Sequence, residues 1–175
     1  MEVGTSCREC YTLSMSIFVK AVAAPEPKTK DAKTIAIAYA VVLVVFAVAQ
    51  LFTFDDFLKL FVSFELPGVT SPHLLAASII TAEVFALPFL LRMVLSPAFR
   101  FFSMLLGWFV AGAWVFVAAS LLASHSPINN IGFLGAAVEI LPSWWTLFIG
   151  IVLVLFAAWA SWGMWPLRHS SKTVK

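Results

Sequence analysis

Four apolar stretches dominate the sequence, at 34–54, 73–93, 101–123 and 142–165. Each is roughly 20 residues long, the length that a helix needs to cross a hydrocarbon layer about 30 Å thick. They are apolar on all faces, whereas a membrane strand alternates apolar and polar residues. With 62% hydrophobic and 11% charged residues, the chain carries too little charge for a soluble domain. The sequence therefore predicts an all-α integral membrane protein built as a bundle of four transmembrane helices.

Positive charges are distributed unequally among the segments that join these spans. The first connection, 55–72, contains only Lys59, and the third connection, 124–141, contains no Lys or Arg. All other Lys and Arg residues lie in the N-terminal segment, in or beside the 94–100 turn, or in the C-terminal tail. By the positive-inside rule, both termini and that turn are predicted to be cytoplasmic, and the two longer connections face outward. The predicted location is the cell (inner, cytoplasmic) membrane.

The chain is expected to divide into a flexible cytoplasmic N-terminal segment (1–33), a four-helix membrane domain (34–165) and a basic cytoplasmic tail (166–175). Residues 1–24 also contain a short apolar run and a small-residue site, as in a cleaved signal peptide. Because Lys20 interrupts that apolar run, a retained cytoplasmic segment is the preferred interpretation.

The first outward connection contains an amphipathic sequence, DDFLKLFVSFELPG, at 55–68. Its apolar residues recur at helical spacing, and its polar residues lie on the opposite face. This predicts a short helix that lies in the membrane interface. A short helix that covers the mouth of the bundle fits the same pattern equally well. The apolar set is Phe57, Leu60, Phe61 and Phe64, and the polar set is Asp56, Lys59 and Ser63.

Small residues and tryptophans indicate how the spans pack. Small residues in the third span would let another helix approach closely, and its Trp108 and Trp114 are expected to fill gaps between helices or to face lipid. The remaining tryptophans lie near the two ends of the fourth span, where indole rings favour the membrane interface. The small residues are Gly107, Ala111, Gly112, Ala118 and Ala119, and the interfacial tryptophans are Trp144, Trp145, Trp159, Trp162 and Trp165.

Cys7 and Cys10 have the spacing of a redox dithiol or of half a zinc site. A zinc site needs about four ligands, and the histidines, at positions 73, 125 and 169, are scattered. In the predicted topology the cysteines also lie in a reducing compartment. We therefore expect no metal site and interpret the two cysteines as an incidental pair in the N-terminal segment.

Three polar residues at the outward side are candidate ligand-binding residues. Asn129 and Asn130 belong to the turn-rich sequence SPINNIGFLG at 126–135, and they either bind a polar headgroup or ligand or simply satisfy turn backbone. Gln50 lies near the outer end of the first span, where it either bonds to another helix or is solvated at the interface.

Glu83 stands almost at the centre of the second span and is the best candidate for a catalytic or ligand-binding residue. A charge at this depth costs about 3 kcal/mol on insertion scales, so an intramembrane Glu is a functional-site hypothesis by default. Ile79 and Leu87, four residues away on either side, are apolar, so its partner must come from another span, water or a ligand. We expect a protonated carboxyl that donates inward, and we expect Glu83→Gln to keep the fold and abolish function.

The order of these features resembles the DoxX/MauE family of small four-helix, redox-associated membrane proteins over about 36–162. The resemblance is carried by QLFTFDDFLKLF (50–61), LPG (66–68), TAEVFALPFLLR (81–92) and NNIGFLG (129–135). The MauE branch usually has Cys-x-Cys-Phe-Gly at the last of these, and here Asn and Ile occupy the cysteine-like places. Gln50 stands where the family often has a basic residue, which removes an obvious partner for Glu83.

The resemblance implies a membrane subunit or an assembly or maturation factor that supports redox or envelope proteins, with the lipid bilayer and another membrane or envelope redox protein as its partners. One alternative is a quinone-interacting oxidoreductase subunit in which Glu83 transfers a proton and quinone is the cofactor. A second alternative is a small-molecule carrier, for which Pro88 is the one sign of a broken helix. No patch for binding nucleic acid is visible.

Overall fold

The computed structural model describes residues 24–124 and 128–165, and these contain five helices and no strand. This confirms the predicted all-α fold class. The predictions for Cys7, Cys10, His125, His169 and the 166–175 tail lie outside the described residues. The helices are α1 (Lys30–Phe52), α2 (Phe54–Ser63), α3 (Pro72–Leu90), α4 (Pro97–Ser124) and α5 (Trp144–Met164).

The helices α1, α3, α4 and α5 are long and apolar enough to cross a membrane, which makes the chain a multi-pass membrane protein. Their ends differ from the predicted boundaries by a few residues. The helix α1 begins at Lys30, before the apolar run, because the Thr29 side chain accepts a hydrogen bond from the Ala32 N–H at 3.1 Å and Asp31 occupies the first turn. An acidic residue and a threonine cap both stabilise a helix N-terminus, so residues 30–33 extend the helix beyond the apolar run.

The four spans form a ring in the order α1, α3, α4, α5, and each packs against the two beside it. Small residues produce some of the closest approaches. A Cβ on Gly163 of α5 would overlap the Cβ of Ala32 on α1, and the Tyr39 hydroxyl of α1 donates to the Gly107 carbonyl of α4 at 2.7 Å. The order of the helices gives the bundle two different ends. One end carries α2 and the 128–141 loop, and the other carries the start of α1 and the 91–96 turn.

The amphipathic helix after the first span is present as α2, and its apolar face packs on the bundle. Phe57 and Phe61 are completely buried, and the Phe61 ring lies 6.2 Å from the Trp114 ring in an edge-to-face arrangement. Asp56 and Lys59 are exposed on the opposite face and form an ion pair at 2.9 Å. The structure thus favours the alternative in which this helix covers the mouth of the bundle, and we call α2 the lid.

Pro88 interrupts the hydrogen-bonding pattern of α3, and Ser103 of α4 compensates for it. The Ser103 hydroxyl donates to the Phe85 carbonyl at 2.6 Å and accepts from the Phe89 N–H at 3.1 Å. Proline lacks the N–H that would continue the helix, and a neighbouring hydroxyl can satisfy the backbone groups around it inside a membrane. Ser103 is completely buried, so this contact also fixes α3 against α4.

The small residues of α4 divide between two surfaces. Gly107, Ala111 and Ala118 are buried against neighbouring helices, as predicted, whereas Gly112 and Ala119 lie on the exposed surface of the chain. Every tryptophan near the ends of α5 is about half exposed or more, as interfacial anchors require. Trp108 is partly exposed and its indole N–H donates to the Ser161 hydroxyl of α5 at 2.9 Å.

Candidate functional site

Glu83 is completely buried in the middle of the bundle, and two side chains from other helices bind it. The Gln50 amide of α1 and the Trp114 indole N–H of α4 both donate to Glu83 Oε1, each at 3.2 Å. The partners come from other spans, which is one of the sources that the sequence left open. We call Gln50, Glu83 and Trp114 the polar cluster.

Gln50 has a different role from the one expected from the sequence. We expected that a glutamine in place of a basic residue would leave Glu83 without an obvious partner, and this is wrong. The Gln50 amide has two N–H groups, so it can bind Glu83 Oε1 and also donate to the Phe133 backbone carbonyl at 3.2 Å. Gln50 is completely buried and not solvated at an interface. It connects α1, α3 and the 128–141 loop.

Aromatic rings surround the polar cluster on the side of the lid. The Trp114 ring lies 4.7 Å from the Phe133 ring and 6.3 Å from the Phe46 ring, and Phe61 of the lid also contacts it. Trp114 fills a gap between helices, as expected, but its hydrogen bond to Glu83 was not anticipated. These rings separate the cluster from the exposed surface of the lid and create the apolar surroundings in which each of its hydrogen bonds is made.

Two oxygen atoms of the polar cluster have no hydrogen-bond donor within the described parts of the chain. They are Glu83 Oε2 and Gln50 Oε1, and both are buried. Buried polar atoms are normally paired, so each such exception calls for a chemical explanation. A proton on the carboxyl group would turn Oε2 from an acceptor into a donor. The cluster can therefore accept one proton, or one donor group from a ligand, without losing the bonds that Oε1 already makes.

The 128–141 loop is fixed to the junction of α1 and the lid by Thr53 and Gly135. The Thr53 hydroxyl donates to the Ala49 carbonyl at 3.2 Å and accepts from the Ala136 N–H at 2.9 Å. Gly135 has a φ of +66°, and a Cβ at this position would overlap Thr53 Oγ1 and lie 2.8 Å from Ala49 O. Only glycine allows this close approach, so the loop packs directly against the end of α1 that carries Gln50.

The two candidate asparagines are used differently. Asn130 is buried, and its side chain accepts from the Gly132 N–H at 2.9 Å and donates to the Gly135 carbonyl at 3.1 Å. It satisfies turn backbone, which is one of the two roles expected for it. Asn129 is exposed and lines a recess of about 400 Å³ between the lid and the 128–141 loop. The structure brings Gln50 and Glu83 together and places the asparagines nearer the surface.

Charge in this recess is mostly negative. Asp56 and Glu139 line it, together with Lys59, which is hydrogen-bonded to Asp56. That hydrogen bond raises the pKa of Lys59, and Coulombic attraction to Asp56 raises it further. Because Lys59 is fully exposed, the ion pair is screened by solvent and contributes little to stability. No group of three potential metal ligands occurs among the residues that the structure describes.

Comparisons of the chain with family models, with curated protein sequences and with solved structures give no match. The resemblance to the DoxX/MauE family therefore stays a prediction that depends on the four quoted sequence motifs.

Proposed function

We propose that the protein is a small integral membrane subunit or assembly factor of the DoxX/MauE type, which supports redox or envelope proteins. The observation that carries this proposal is the recess between the lid and the 128–141 loop. The polar cluster contacts both elements that form the recess. Gln50 donates to the Phe133 carbonyl of the loop, and the Trp114 ring packs against Phe61 of the lid. A recess with fixed walls suits the docking of a preformed partner.

The charge around the recess indicates the kind of surface that would dock there. Asp55, Asp56, Glu65 and Glu139 are exposed at this end of the bundle, and Lys59 is the one Lys or Arg among the exposed residues there in the described part of the chain. Complementary potentials increase both the association rate and the specificity of docking. The partner is therefore an envelope protein that presents a basic segment to the recess. In the proposed topology this end faces outward from the cytoplasmic membrane.

Site-specific photo-crosslinking in native membranes tests this proposal. A crosslinking amino acid would replace Ser63 or Asn129 at the recess, and Ile151, which is exposed on the lipid-facing part of α5, would serve as the matched control. We expect the recess positions to capture one envelope protein that carries a redox centre or a disulfide, and the control to capture lipid. Equal capture of the same proteins from all three positions would refute docking at the recess.

A second candidate, a quinone-interacting oxidoreductase subunit, is favoured by Glu83 Oε2, which has no hydrogen-bond donor among the residues that the structure describes. A buried carboxyl with one free oxygen can accept a proton while Oε1 keeps its two hydrogen bonds, which is what a proton-transfer site near a lipophilic cofactor needs. Complementation in cells that lack the protein separates the candidates. Glu83→Gln removes the exchangeable proton, so the loss of function expected from the sequence would favour this candidate, whereas retained function would favour the docking proposal. Stoichiometric quinone in the purified protein would also favour the second candidate.

A further inference from the structure

At the end of the bundle opposite the lid, basic side chains surround a cavity of about 680 Å³. The cavity lies between the start of α1 and the turn that follows α3. Lys28, Lys30, Lys33 and Arg92 line it, and among the described residues Glu26 is the one acidic residue in its lining. None of these four basic residues forms a salt bridge within 24–124 and 128–165. The described lining therefore has an excess of positive charge, with four basic side chains against one acidic one.

Arg92 is held towards the cavity by an unusual backbone conformation. It follows α3 with a φ of +57°, the left-handed conformation that usually requires glycine at this position after a helix. One guanidinium nitrogen donates to the Pro25 carbonyl at 3.1 Å, across 67 residues of sequence. The Nε atom is buried and has no acceptor in the described residues. The Arg92 side chain also lines the cavity, and a planar guanidinium with several N–H donors is well suited to bind the oxygens of a phosphate group.

Lys28 is positioned by α5. Its backbone N–H donates to the Gly163 carbonyl at 2.9 Å, and its ammonium group lies 4.9 Å from the centre of the Trp162 ring. Lys30 and Lys33 belong to the first turn of α1, where the helix dipole adds further positive potential. Three separate elements thus bring positive charge to one cavity: the segment before α1, the first turn of α1 and the turn after α3.

The cavity also borders an apolar surface. Ile37 lines it and is 44% exposed, and beyond Ile37 the exposed residues Val41, Val44 and Val48 continue along α1. This strip runs from the cavity along a membrane span. The site therefore offers positive charge at the end of a span and apolar contact along the span, which matches a ligand with an anionic head and acyl chains.

We propose that this cavity binds the phosphate-bearing headgroup of an anionic phospholipid. The lysines and Arg92 contact the phosphate group, and the acyl chains lie along the valine strip of α1. The same positive charge would also attract free phosphate from solution, so the experiment must distinguish a lipid from a soluble anion.

Calorimetric titration of the full-length protein in a neutral detergent makes this distinction. The probes are short-chain phosphatidylglycerol, short-chain phosphatidylcholine and inorganic phosphate. We expect phosphatidylglycerol to bind most tightly. Lys33→Gln should weaken its binding about fivefold, and removal of Lys30 as well should weaken it about 25-fold in total, because each cation near a membrane surface contributes about a fivefold factor. Both lysines are exposed, so these variants should fold normally.

Lys59→Gln is the matched control, because Lys59 is an exposed lysine at the lid end of the bundle. It should leave the affinity for phosphatidylglycerol unchanged. An equal loss of affinity in Lys59→Gln and Lys33→Gln would show a general effect of net charge and overturn the site. Inorganic phosphate that binds as tightly as phosphatidylglycerol would overturn the lipid assignment in favour of a soluble anion. Equal affinity for phosphatidylcholine would show that the acyl chains alone are recognised and would also overturn the proposal.

Discussion

Gln50 and Glu83 are separated by 33 residues of sequence and meet inside the bundle, where the Gln50 amide lies 3.2 Å from Glu83 Oε1. Within α1, the buried residues one turn from Gln50 are apolar, and the same holds for Glu83 within α3. The hydrogen bond between them therefore depends on the packing of α1 against α3. Substitutions at these two positions therefore test whether α1 and α3 pack as the structure shows.

Glu83→Gln should leave stability almost unchanged, because a glutamine oxygen can accept from both Gln50 and Trp114, and a hydrogen bond between membrane helices averages only about 0.6 kcal/mol. Glu83→Ala should cost about 1–3 kcal/mol, since the buried Trp114 indole N–H loses its acceptor. Thermal unfolding in detergent measures both changes. Glu139→Ala, which removes an exposed carboxylate, is the control and should have no effect. A Glu83→Ala protein as stable as the wild type would contradict the hydrogen-bonded arrangement.

Gln50→Met should loosen the 128–141 loop, because the Phe133 carbonyl loses its side-chain donor while the volume at position 50 is nearly kept. Hydrogen–deuterium exchange of the peptide that contains 129–136 should become faster than in the wild type. The matched control is Leu51→Met, next in sequence but on the exposed face of α1. If both variants exchange at the wild-type rate, Gln50 does not hold the loop.

Gly135→Ala should destabilise the protein by more than about 2 kcal/mol, because it combines a positive φ with overlap against Thr53 and Ala49. Gly68→Ala separates the two effects. Gly68 has a φ of +76°, but no atom of the described residues lies within 4 Å of the added Cβ, so only backbone strain of about 1 kcal/mol is expected. Thermal unfolding of the two variants side by side gives the comparison. Similar losses in both would mean that the loop does not pack closely on α1.

The predicted topology can be tested with single cysteines in a background that carries Cys7→Ser and Cys10→Ser. We expect these two replacements to leave membrane insertion and stability unchanged, because the pair has no assigned partner in the predicted arrangement. In intact cells, an impermeant maleimide should modify a cysteine introduced at 124–130 and should not modify one at 169–175. The reverse labelling pattern would invert the topology and place the lid in the cytoplasm.

The sequence predicted the fold well because hydropathy over about 20 residues is a strong signal, and it found the four spans and the amphipathic lid. Helix ends were less accurate. The charge-rich sequence KDAK at 30–33 indicates a part of the N-terminal segment, whereas in the structure Thr29 caps a helix that includes it. The recurrence of Phe57 and Phe61 at helical spacing predicted a helix. The same spacing fits an apolar face that contacts lipid and one that packs on the bundle, so it did not distinguish between them.

The candidate site was predicted only in part. Glu83 was recognisable because a carboxylate is rare in an apolar span, but its partners were not, since hydrogen bonds between helices depend on helix rotation and packing that sequence spacing does not specify. Trp114 was interpreted as a packing residue because its indole N–H gives no separate signal. The role of Ser103 was also not predicted, because a hydroxyl in an apolar span does not indicate which helix it faces. A serine in one span and a proline in the neighbouring span do suggest that the hydroxyl bonds to the backbone around the proline.

The order in which the chain is synthesised gives the polar cluster a further consequence. Gln50 is made 33 residues before Glu83 and 83 residues before Phe133, whose carbonyl is its second acceptor. A nascent chain that has inserted only α1 carries a side-chain amide at a position where the finished protein surrounds it with packed rings. Pairing with Glu83 must wait for α3, and the Phe133 carbonyl arrives only after α4. A chain that stops before α3 is thus chemically distinguishable from a complete one, because its Gln50 amide lacks both of the acceptors that the finished protein provides.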